Sequence, residues 1–249
     1  MSSRRFIISS RSIKDGYASF DGELFNHIVR VLRLAPGDDV TLVDEKGCEH
    51  IGAINQVAKE WVAIKIAQTN CKPSPGVNPA TRITICQGLP KGDKIDLILQ
   101  KGTELGAHDF WIYGGKRSVA RVRPDQLDSK LTRWNRITAE AARQCGRCTV
   151  PVVQWYPTAV EASQAVTHDL RLILSESERD NHLKHVLANN SPPASIIVTI
   201  GPEGGFDPLE ISHFEKHGFQ SVSLGSRILR TETVAIAIMA ILQYTYEDI

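Results

Sequence analysis

The sequence predicts an α/β protein in which a small N-terminal β-barrel precedes a larger domain built on a mainly parallel sheet. Three observations support this fold class. Short β-like runs separated by turn signals fill the first 70 residues, three prolines and a glycine crowd residues 70–81, and strand-like and helical segments alternate after that point. We therefore expect a barrel over residues 1–70, a linker over 71–81 and an α/β domain over 82–249.

The barrel prediction depends on short β-branched and apolar runs bounded by turn signals such as Pro36-Gly37. One helix is expected over residues 22–32, where apolar residues recur with helical spacing. Small barrels of this kind commonly bind RNA on one face. The predicted strands cover residues 6–9, 40–43, 49–57 and 61–67.

The larger domain alternates strands and helices, which favours a parallel sheet covered by helices on both faces. Its clearest helix start is at Asp207, because Pro208 and Glu210 follow at the first and third helical positions. The predicted strands cover residues 83–87, 110–113, 170–175, 195–200 and 221–224, and the helices cover 91–105, 127–144, 158–165, 179–188, 208–217 and 231–246.

The composition excludes several classes of protein. Of the 249 residues, 42% are hydrophobic and 23% are charged, as in ordinary folded chains, so extensive disorder is excluded. The longest apolar stretch, residues 234–242, is too short to span a bilayer, so no membrane partner is expected. Five cysteines in a chain of this length predict no disulfide framework and a reducing compartment. We expect a cytoplasmic location.

Positive charge is concentrated in two segments although the net charge is only +1. Residues 1–34 hold six bases and three acids, and residues 115–150 hold nine bases and three acids. Two basic segments on a nearly neutral chain suit contact with a polyanion such as RNA. Two solvated faces would have the same composition, and both interpretations stay open at this point.

Three loops are expected to meet where parallel strands end, which is where open α/β sheets bind ligands. They are residues 175–176, 201–206 and 225–230. Glycines in the last two allow a close approach of backbone to a ligand. Each loop alone also fits an ordinary strand-to-helix turn, but two such loops near the C-terminus favour a site.

Other familiar site motifs are absent from the sequence. No dinucleotide or nucleoside-triphosphate glycine motif and no nucleophile elbow occurs. Cys145 and Cys148 have the spacing of half a zinc site, but no second ligand pair accompanies them, so no metal is expected. A redox role for these two cysteines stays open.

The motifs Gly-Pro-Glu-Gly-Gly-Phe at 201–206 and Leu-Gly-Ser-Arg-Ile-Leu-Arg-Thr-Glu-Thr at 224–233 resemble those of the RsmE-type ribosomal RNA methyltransferases of the SPOUT class. Weaker similarity covers residues 27–33, 100–106 and 144–147. Gly102 stands where that family usually has alanine. The resemblance implies a PUA-like barrel, a C-terminal domain with a trefoil knot, and a homodimer. It also implies S-adenosylmethionine as cofactor and, as target, N3 of one uridine in 16S rRNA, in the small (30S) subunit near the decoding region.

With this resemblance, the site residues receive roles. Arg147 and Arg230 are expected to hold the flipped uridine and stabilise negative charge on its oxygens, and Arg147 is expected to act across the dimer. Glu203 is the candidate proton acceptor, although it fits equally well as a hydrogen-bonding carboxylate of the turn. The expected cofactor residues are Leu174, Ser175, Glu176, Gly201, Pro202, Glu203, Gly204, Leu224, Gly225, Ile228, Leu229 and Arg230.

RNA contacts are expected from bases on both domains, because Lys and Arg neutralise phosphates. His27 fits a structural position under the barrel equally well. Two other functions stay open: a knotted methyltransferase acting on tRNA, and an RNA-binding assembly factor without catalysis. The expected RNA-binding residues are Arg5, His27, Arg30 and Arg33 on the barrel, with Lys91, Lys94, Lys101 and Arg117 on the larger domain.

Overall fold

The structure, a computed structural model, describes residues 4–71, 81–189 and 191–246. These residues form two compact units. The first unit combines residues 4–71 with Arg143–Thr149, and the second unit contains residues 81–142 and those from 150 onward. Most of the expected linker, residues 72–80, lies outside the described residues.

The first unit is a curled six-stranded sheet that forms half of a barrel. Its strand order is β1-β4-β5-β6-β3-β2, with β1 parallel to β4 and the other pairs antiparallel. Its core includes Phe6, Ile28, Leu42 and Ile64, which are fully buried. The strands are β1 (Arg5–Ile7), β2 (Ile13–Lys14), β3 (Tyr17–Asp21), β4 (Asp39–Val43), β5 (Glu49–Val57) and β6 (Trp61–Asn70).

Two local features of this unit differ from the sequence prediction. The hairpin of β2 and β3 was not predicted, although its turn residues Asp15 and Gly16, both with positive φ, are a strong hairpin signal. The expected single helix is a short α-helix, α1 (Gly22–Phe25), continued by a π-helix over Asn26–Val31. The wider turns are visible in the Leu32 N–H, which donates to the carbonyl of His27 five residues earlier.

A disulfide joins Cys48 and Cys71, whereas the sequence predicted no disulfide framework. The two cysteines lie 23 positions apart, so their spacing alone does not pair them. The register of β5 and β6 does, because Glu49 lies opposite Asn70 and the next pair outward is the two cysteines. Their Cα atoms are 4.1 Å apart.

The second unit is built on a six-stranded sheet with the order β12-β10-β11-β7-β8-β9. Every strand pairing of this sheet within the described residues is parallel, which confirms the predicted sheet type. The edge strand β9 was not predicted. The strands are β7 (Arg82–Gly88), β8 (Asp109–Tyr113), β9 (Val152–Tyr156), β10 (Leu170–Leu174), β11 (Ser195–Ile200) and β12 (Gln220–Val222).

Helices cover both faces of this sheet, as predicted. Strand residues alternate between two cores: Ile196 and Val198 belong to one, and Ile197 between them belongs to the other. The first core includes Trp134 and the second includes Phe214, each from a helix. The helices are α2 (Lys94–Glu104), α3 (Leu127–Cys145), α4 (Ala159–Gln164), α5 (Leu183–Asn189), α6 (Pro208–Lys216) and α7 (Thr231–Thr245).

Two sequence details of this unit have a direct structural reason. The capping box at the start of α6 is present: the Asp207 side chain accepts the backbone N–H of Glu210, and the Glu210 side chain accepts the backbone N–H of Asp207. Gly102 in α2 packs against Phe110, and a Cβ at this position would lie only 2.7 Å from the ring. Within the described parts of the chain, no helix has both the length and the apolar character required to cross a membrane.

Candidate active site

A cavity of about 790 Å³ opens at the carboxyl ends of β10, β11 and β12. Because these three strands are parallel neighbours, the loops that follow them meet at one edge of the sheet. The structure therefore brings together the three loops expected from the sequence. The predicted cofactor residues that line the cavity are Leu174, Ser175, Glu176, Gly201, Pro202, Glu203, Leu224, Gly225, Ile228, Leu229 and Arg230.

Gly204 is the predicted cofactor residue that does not line this cavity. A Cβ at Gly204 would lie 3.0 Å from the Cβ and the carbonyl oxygen of Arg117. The Arg117 Nη1 atom also lies 3.4 Å from the Gly204 carbonyl oxygen. Gly204 thus allows the loop after β11 to pack against the loop after β8.

The backbone of the glycine loops explains part of the cavity's shape. Gly205 has a φ of 68° and closes a turn through its N–H, which donates to the Pro202 carbonyl oxygen over 2.9 Å. Gly225 has a φ of 124°, a conformation that favours glycine. A Cβ at Gly225 would meet no atom within 4 Å, so its backbone faces open space beside the cavity. A ligand can therefore approach the main chain closely here.

A buried hydrogen-bond network fixes the loop after β11 to the start of α7. The Thr231 hydroxyl donates to the Gly201 carbonyl oxygen (2.7 Å) and accepts from Gln87 Nε2 (2.8 Å). Gln87 Nε2 also reaches the carbonyl oxygens of Gly88 (2.8 Å) and Gly201 (3.2 Å). Gln87 is completely buried and Thr231 is 6% exposed. Sequence reasoning missed both residues, although a glutamine within an apolar strand was the available signal.

Glu203 is held at the cavity rim by two lysines. Its Oε1 atom accepts the backbone N–H of Lys91 (3.0 Å) and lies 3.0 Å from Lys94 Nζ, which is also 3.5 Å from Glu232. Partial burial raises the pKa of Glu203, but these donors outweigh it and lower the pKa overall. The hydrogen bond to Glu203 raises the pKa of Lys94. At neutral pH the pair is therefore an ion pair.

Other residues that line the cavity were not predicted. Glu178 accepts the backbone N–H groups of Asn181 and Asp180 on one side chain oxygen, and these hydrogen bonds lower its pKa. All of them lie within six residues of the three predicted loops in sequence, so extending each loop by six residues would have found them. The additional lining residues are Glu178, Arg179, His182, Ile200, Val222, Ser223, Thr231 and Val234.

The two arginines with predicted catalytic roles lie in different units. Arg230 is exposed, lines the cavity and directly precedes α7. Arg147 belongs to the first unit, in the segment Arg143–Thr149. The catalytic role of each stays a prediction.

Two of the four barrel residues predicted to bind RNA have partners within the first unit. The Arg5 guanidinium pairs with Glu49 (2.6 Å) and donates to the Gly146 carbonyl oxygen (3.2 Å). The His27 ring lies 3.0 Å from Arg143 Nη1. These contacts give both residues a structural role within the first unit, which agrees with the alternative interpretation of His27 as a structural residue. Their contact with RNA stays a prediction.

The remaining predicted RNA-binding bases are more accessible. Arg30 is exposed and lies 5.8 Å from the centre of the Phe25 ring, and Arg33 is exposed with a φ of 54°. Lys101 is partly exposed and pairs with Glu104 at 2.8 Å. Lys91 and Arg117 are exposed beside the loop after β11, whereas Lys94 faces the cavity. Their roles in RNA binding stay predictions.

Comparison with known proteins identifies the family. An RNA methyltransferase domain model matches residues 77–243, and an RNA methyltransferase PUA domain model matches residues 20–66. The ribosomal RNA small subunit methyltransferase E of Bacillus subtilis is 31% identical over 235 residues, which are 92% of this chain and 90% of that protein. The chain belongs to this methyltransferase family. The Synechocystis member is 32% identical over 240 residues, 95% of this chain and 76% of its own.

Two solved structures of bacterial methyltransferases have the same fold. The Neisseria gonorrhoeae enzyme bound to S-adenosylmethionine superimposes with a TM-score of 0.83 at 29% identity, and the alignment covers 98% of both chains. A putative methyltransferase from Legionella pneumophila, also bound to S-adenosylmethionine, has a TM-score of 0.84 at 28% identity and the same coverage. The family assignment suggested by residues 201–206 and 224–233 is thus confirmed.

Proposed function

We propose that this methyltransferase E family member transfers a methyl group from S-adenosylmethionine to N3 of one uridine in small-subunit (16S) rRNA near the decoding region. The observation that supports this most is the cavity at the ends of β10, β11 and β12, which is lined by both family motifs. Ligand sites of open parallel sheets lie at this edge. The homologous enzymes carry the same name across distant bacteria.

The residues around the cavity fit S-adenosylmethionine in size and chemistry. A volume of about 790 Å³ is within the usual range for ligand sites. Buried Leu174, Ile200 and Val222 would hold the adenine ring against apolar surface. The carboxylates of Glu176 and Glu178 suit ribose hydroxyl groups and the positive charges of the ligand, which when bound supplies an electrophilic methyl group. The residues present thus satisfy its apolar and its charged parts.

The uracil ring must lose its N3 proton before the nitrogen lone pair is free to attack. A guanidinium near the ring stabilises the negative charge that then spreads over the two carbonyl oxygens. Arg230, exposed on the cavity wall, is the residue we assign to this task, and Arg147 keeps its predicted role across the dimer. The remaining rate acceleration comes from positioning, because the cavity would hold the acceptor nitrogen close to the methyl group and in line with the bond that breaks.

Glu203 is better suited to positioning than to proton transfer. Its lowered pKa makes it a weak base, and Lys94 and the Lys91 N–H already occupy its carboxylate. We therefore assign to Glu203 the task of holding the loop after β11 against the start of α2. The imide proton then passes to solvent at the open rim.

The finer family features belong to the same proposal. We propose the trefoil knot for the second unit and a homodimer for the active enzyme. Ile241 and Tyr244 on α7 are 39% and 79% exposed, which supports a partner surface on this nearly all-apolar helix. The small subunit or its rRNA is the substrate, contacted through exposed bases such as Arg30, Arg33 and Arg117.

The test is methylation of rRNA from a strain that lacks this protein. Purified enzyme with S-adenosylmethionine should form 3-methyluridine at one position of the small-subunit rRNA, detected by mass spectrometry. Arg230→Ala should abolish the product while Arg82→Ala, at the opposite end of the sheet, should not. An altered tRNA with unchanged rRNA would support the knotted tRNA enzyme instead. Failure to bind S-adenosylmethionine in calorimetry would support a non-catalytic RNA-binding factor.

A further inference from the structure

A second cavity, of about 620 Å³, opens at the carboxyl ends of β8 and β9. Gly114 and Gly115, which follow β8, form one side, and Pro157, which follows β9, forms another. The first turn of α6 closes it with Leu209, which is 63% exposed. None of the roles proposed above uses this cavity.

The cavity lining is basic. Among the residues that the structure describes, it contains Lys116, Arg121 and Arg123 but only one acid, Glu210. The two carboxylate oxygens of Glu210 accept the backbone N–H groups of Lys116 (2.8 Å) and Asp207 (2.9 Å), so its charge is already compensated by the backbone at the start of α6.

Backbone hydrogen bonds orient the Arg121 side chain without neutralising its positive charge. Its guanidinium donates to the carbonyl oxygens of Gly115 (2.7 Å) and Lys116 (3.2 Å), and it has no carboxylate partner in the part of the chain that the structure describes. The other two bases have acids beside them: exposed Lys116 lies 3.2 Å from partly buried Asp207, and Arg123 lies 3.4 Å from Asp125, with both side chains exposed. An exposed pair such as Arg123–Asp125 is weak and exchanges readily for a phosphate.

An aromatic ring stands next to these bases. Trp155 of β9 lines the cavity and is half-buried, with its ring tilted against Trp134 at a centroid distance of 6.4 Å. Trp134 is fully buried, so it holds the Trp155 ring in place. A fixed aromatic face beside arginines is the arrangement that binds single-stranded nucleic acid, because bases stack on the ring and phosphates pair with the cations.

The second cavity is continuous with the edge of the sheet that carries the first. The loop after β8 packs on the loop after β11: a Cβ at Gly115 would lie 3.3 Å from Pro202, and Arg117 Nη1 lies 3.4 Å from the Gly204 carbonyl oxygen. Both cavities therefore belong to the carboxyl edge of one sheet, separated by these two loops. A single RNA strand laid along this edge reaches both.

We propose that the second cavity binds a nucleotide that neighbours the target uridine in single-stranded RNA, with its base on Trp155 and its two flanking phosphates on Lys116, Arg121 and Arg123. This proposal depends on the proposed function, because it takes the first cavity as the site of the target uridine. An acidic side chain would pair only with the cations, whereas every nucleotide of RNA supplies both a phosphate for the cations and a flat base for Trp155, so RNA is the occupant that the lining favours.

The first test measures the affinity of the full-length protein for a fluorescently labelled single-stranded oligouridylate at several salt concentrations. The variant is the double substitution Lys116→Gln with Arg123→Gln. Its matched control is Arg82→Gln with Lys216→Gln, which removes one Arg at the start of β7 and one Lys at the end of α6. Two lost phosphate contacts should reduce the salt slope by about 1.4 and the affinity at 0.1 M salt by about 25-fold.

The second test uses Trp155 itself. Oligouridylate should quench part of the tryptophan emission of the wild type, and Trp155→Phe should lose that part of the quenching. The proposal is overturned if the double variant binds the oligouridylate as tightly as its control, or if polyglutamate displaces the RNA efficiently while free uridine monophosphate does not bind.

A third measurement separates this proposal from the proposed function. S-adenosylhomocysteine, the demethylated product, should bind the double variant and the wild type equally in calorimetry, because the second cavity is not part of the cofactor site. Intact binding of this ligand with unchanged RNA affinity refutes the second cavity alone. No binding of the ligand to the wild type refutes the proposed function.

Discussion

Replacing Thr231 with valine removes one hydroxyl from the centre of the buried network behind the first cavity. Valine has the same branched shape as threonine, so the packing at the start of α7 changes little. The lost group is the donor to Gly201 and the acceptor from Gln87. The substitution therefore tests whether the network, and not only the glycine backbone, holds the loop after β11 in its ligand-binding shape.

The expected magnitude follows from the partners that remain. Gln87 Nε2 keeps the carbonyl oxygens of Gly88 and Gly201 as acceptors, so no donor is left entirely without a partner. Loss of two hydrogen bonds at a buried site should then lower the free energy of unfolding by about 2 kcal/mol. For a unit of this size, the melting temperature should fall by roughly 4–8 °C. If all of this energy appears in ligand binding, the affinity falls at most about thirtyfold.

Thr231→Ser is the matched control, because it keeps the hydroxyl and loses only a methyl group. Calorimetry with S-adenosylhomocysteine should show affinity near wild type for the serine variant and weaker affinity for the valine variant. Thermal unfolding followed by circular dichroism gives the stability of both. Equal affinity of the two variants for the ligand would show that the hydroxyl has no part in shaping the site.

Three further predictions concern single groups. Burial lowers the pKa of His168 to about 4, and its Nδ1 has no hydrogen-bond partner among the described residues, so the second unit should lose stability as pH falls from about 6.5 to 4. The full shift corresponds to a loss of about 3 kcal/mol in the free energy of unfolding, and partial exposure of the ring reduces this loss to about 1–2 kcal/mol. Urea unfolding at both pH values should show the loss in the wild type and not in His168→Gln. Glu203→Gln keeps an acceptor for the Lys91 N–H, so the rate of methyl transfer should fall less than about tenfold; a fall above about 100-fold would restore Glu203 as the base. Reduction of the Cys48–Cys71 disulfide should destabilise the first unit by about 3 kcal/mol, measured by melting with and without reductant, and a reductant-insensitive wild type would contradict it.

Local sequence signals were sufficient for most elements and for the loops of the site. The capping box at Asp207 and the strand ends before residues 175, 201 and 225 depend on neighbours in sequence, and the structure has all of them. Two local signals were overlooked. One is the hairpin at Asp15-Gly16. The other is the edge strand β9, whose residues are β-branched or aromatic apart from Gln154 and which pairs with β8.

Contacts between distant residues were beyond the reach of the sequence. Gln87 and Thr231 are separated by 144 positions, and only the parallel register of β7 and β11 brings the glutamine next to the loop after β11. The Cys48–Cys71 pair likewise follows from the register of one hairpin. A sequence motif thus names the residues that line a site, but the geometry that fixes their side chains depends on strand order.

Lys94 shows how this difference changes an assigned role. The sequence grouped it with RNA-binding bases, but its ammonium group lies 3.0 Å from Glu203 and 3.5 Å from Glu232 at the cavity rim. Two carboxylates already compensate the positive charge of this lysine, so it attracts a phosphate only weakly. Lys91, by contrast, has an exposed side chain and contributes only its backbone N–H to Glu203.

Lys94→Gln should therefore weaken binding of S-adenosylhomocysteine several-fold while the affinity for single-stranded RNA stays near wild type. Lys91→Gln should weaken RNA binding and leave the affinity for S-adenosylhomocysteine near wild type, because the backbone N–H is retained and only the exposed charge is lost. Calorimetry for the ligand and fluorescence anisotropy for the RNA measure both affinities on the same protein. If Lys94→Gln loses RNA affinity and keeps the ligand, the ammonium group contacts phosphate in the complex, and the ion pair with Glu203 does not hold the loop after β11.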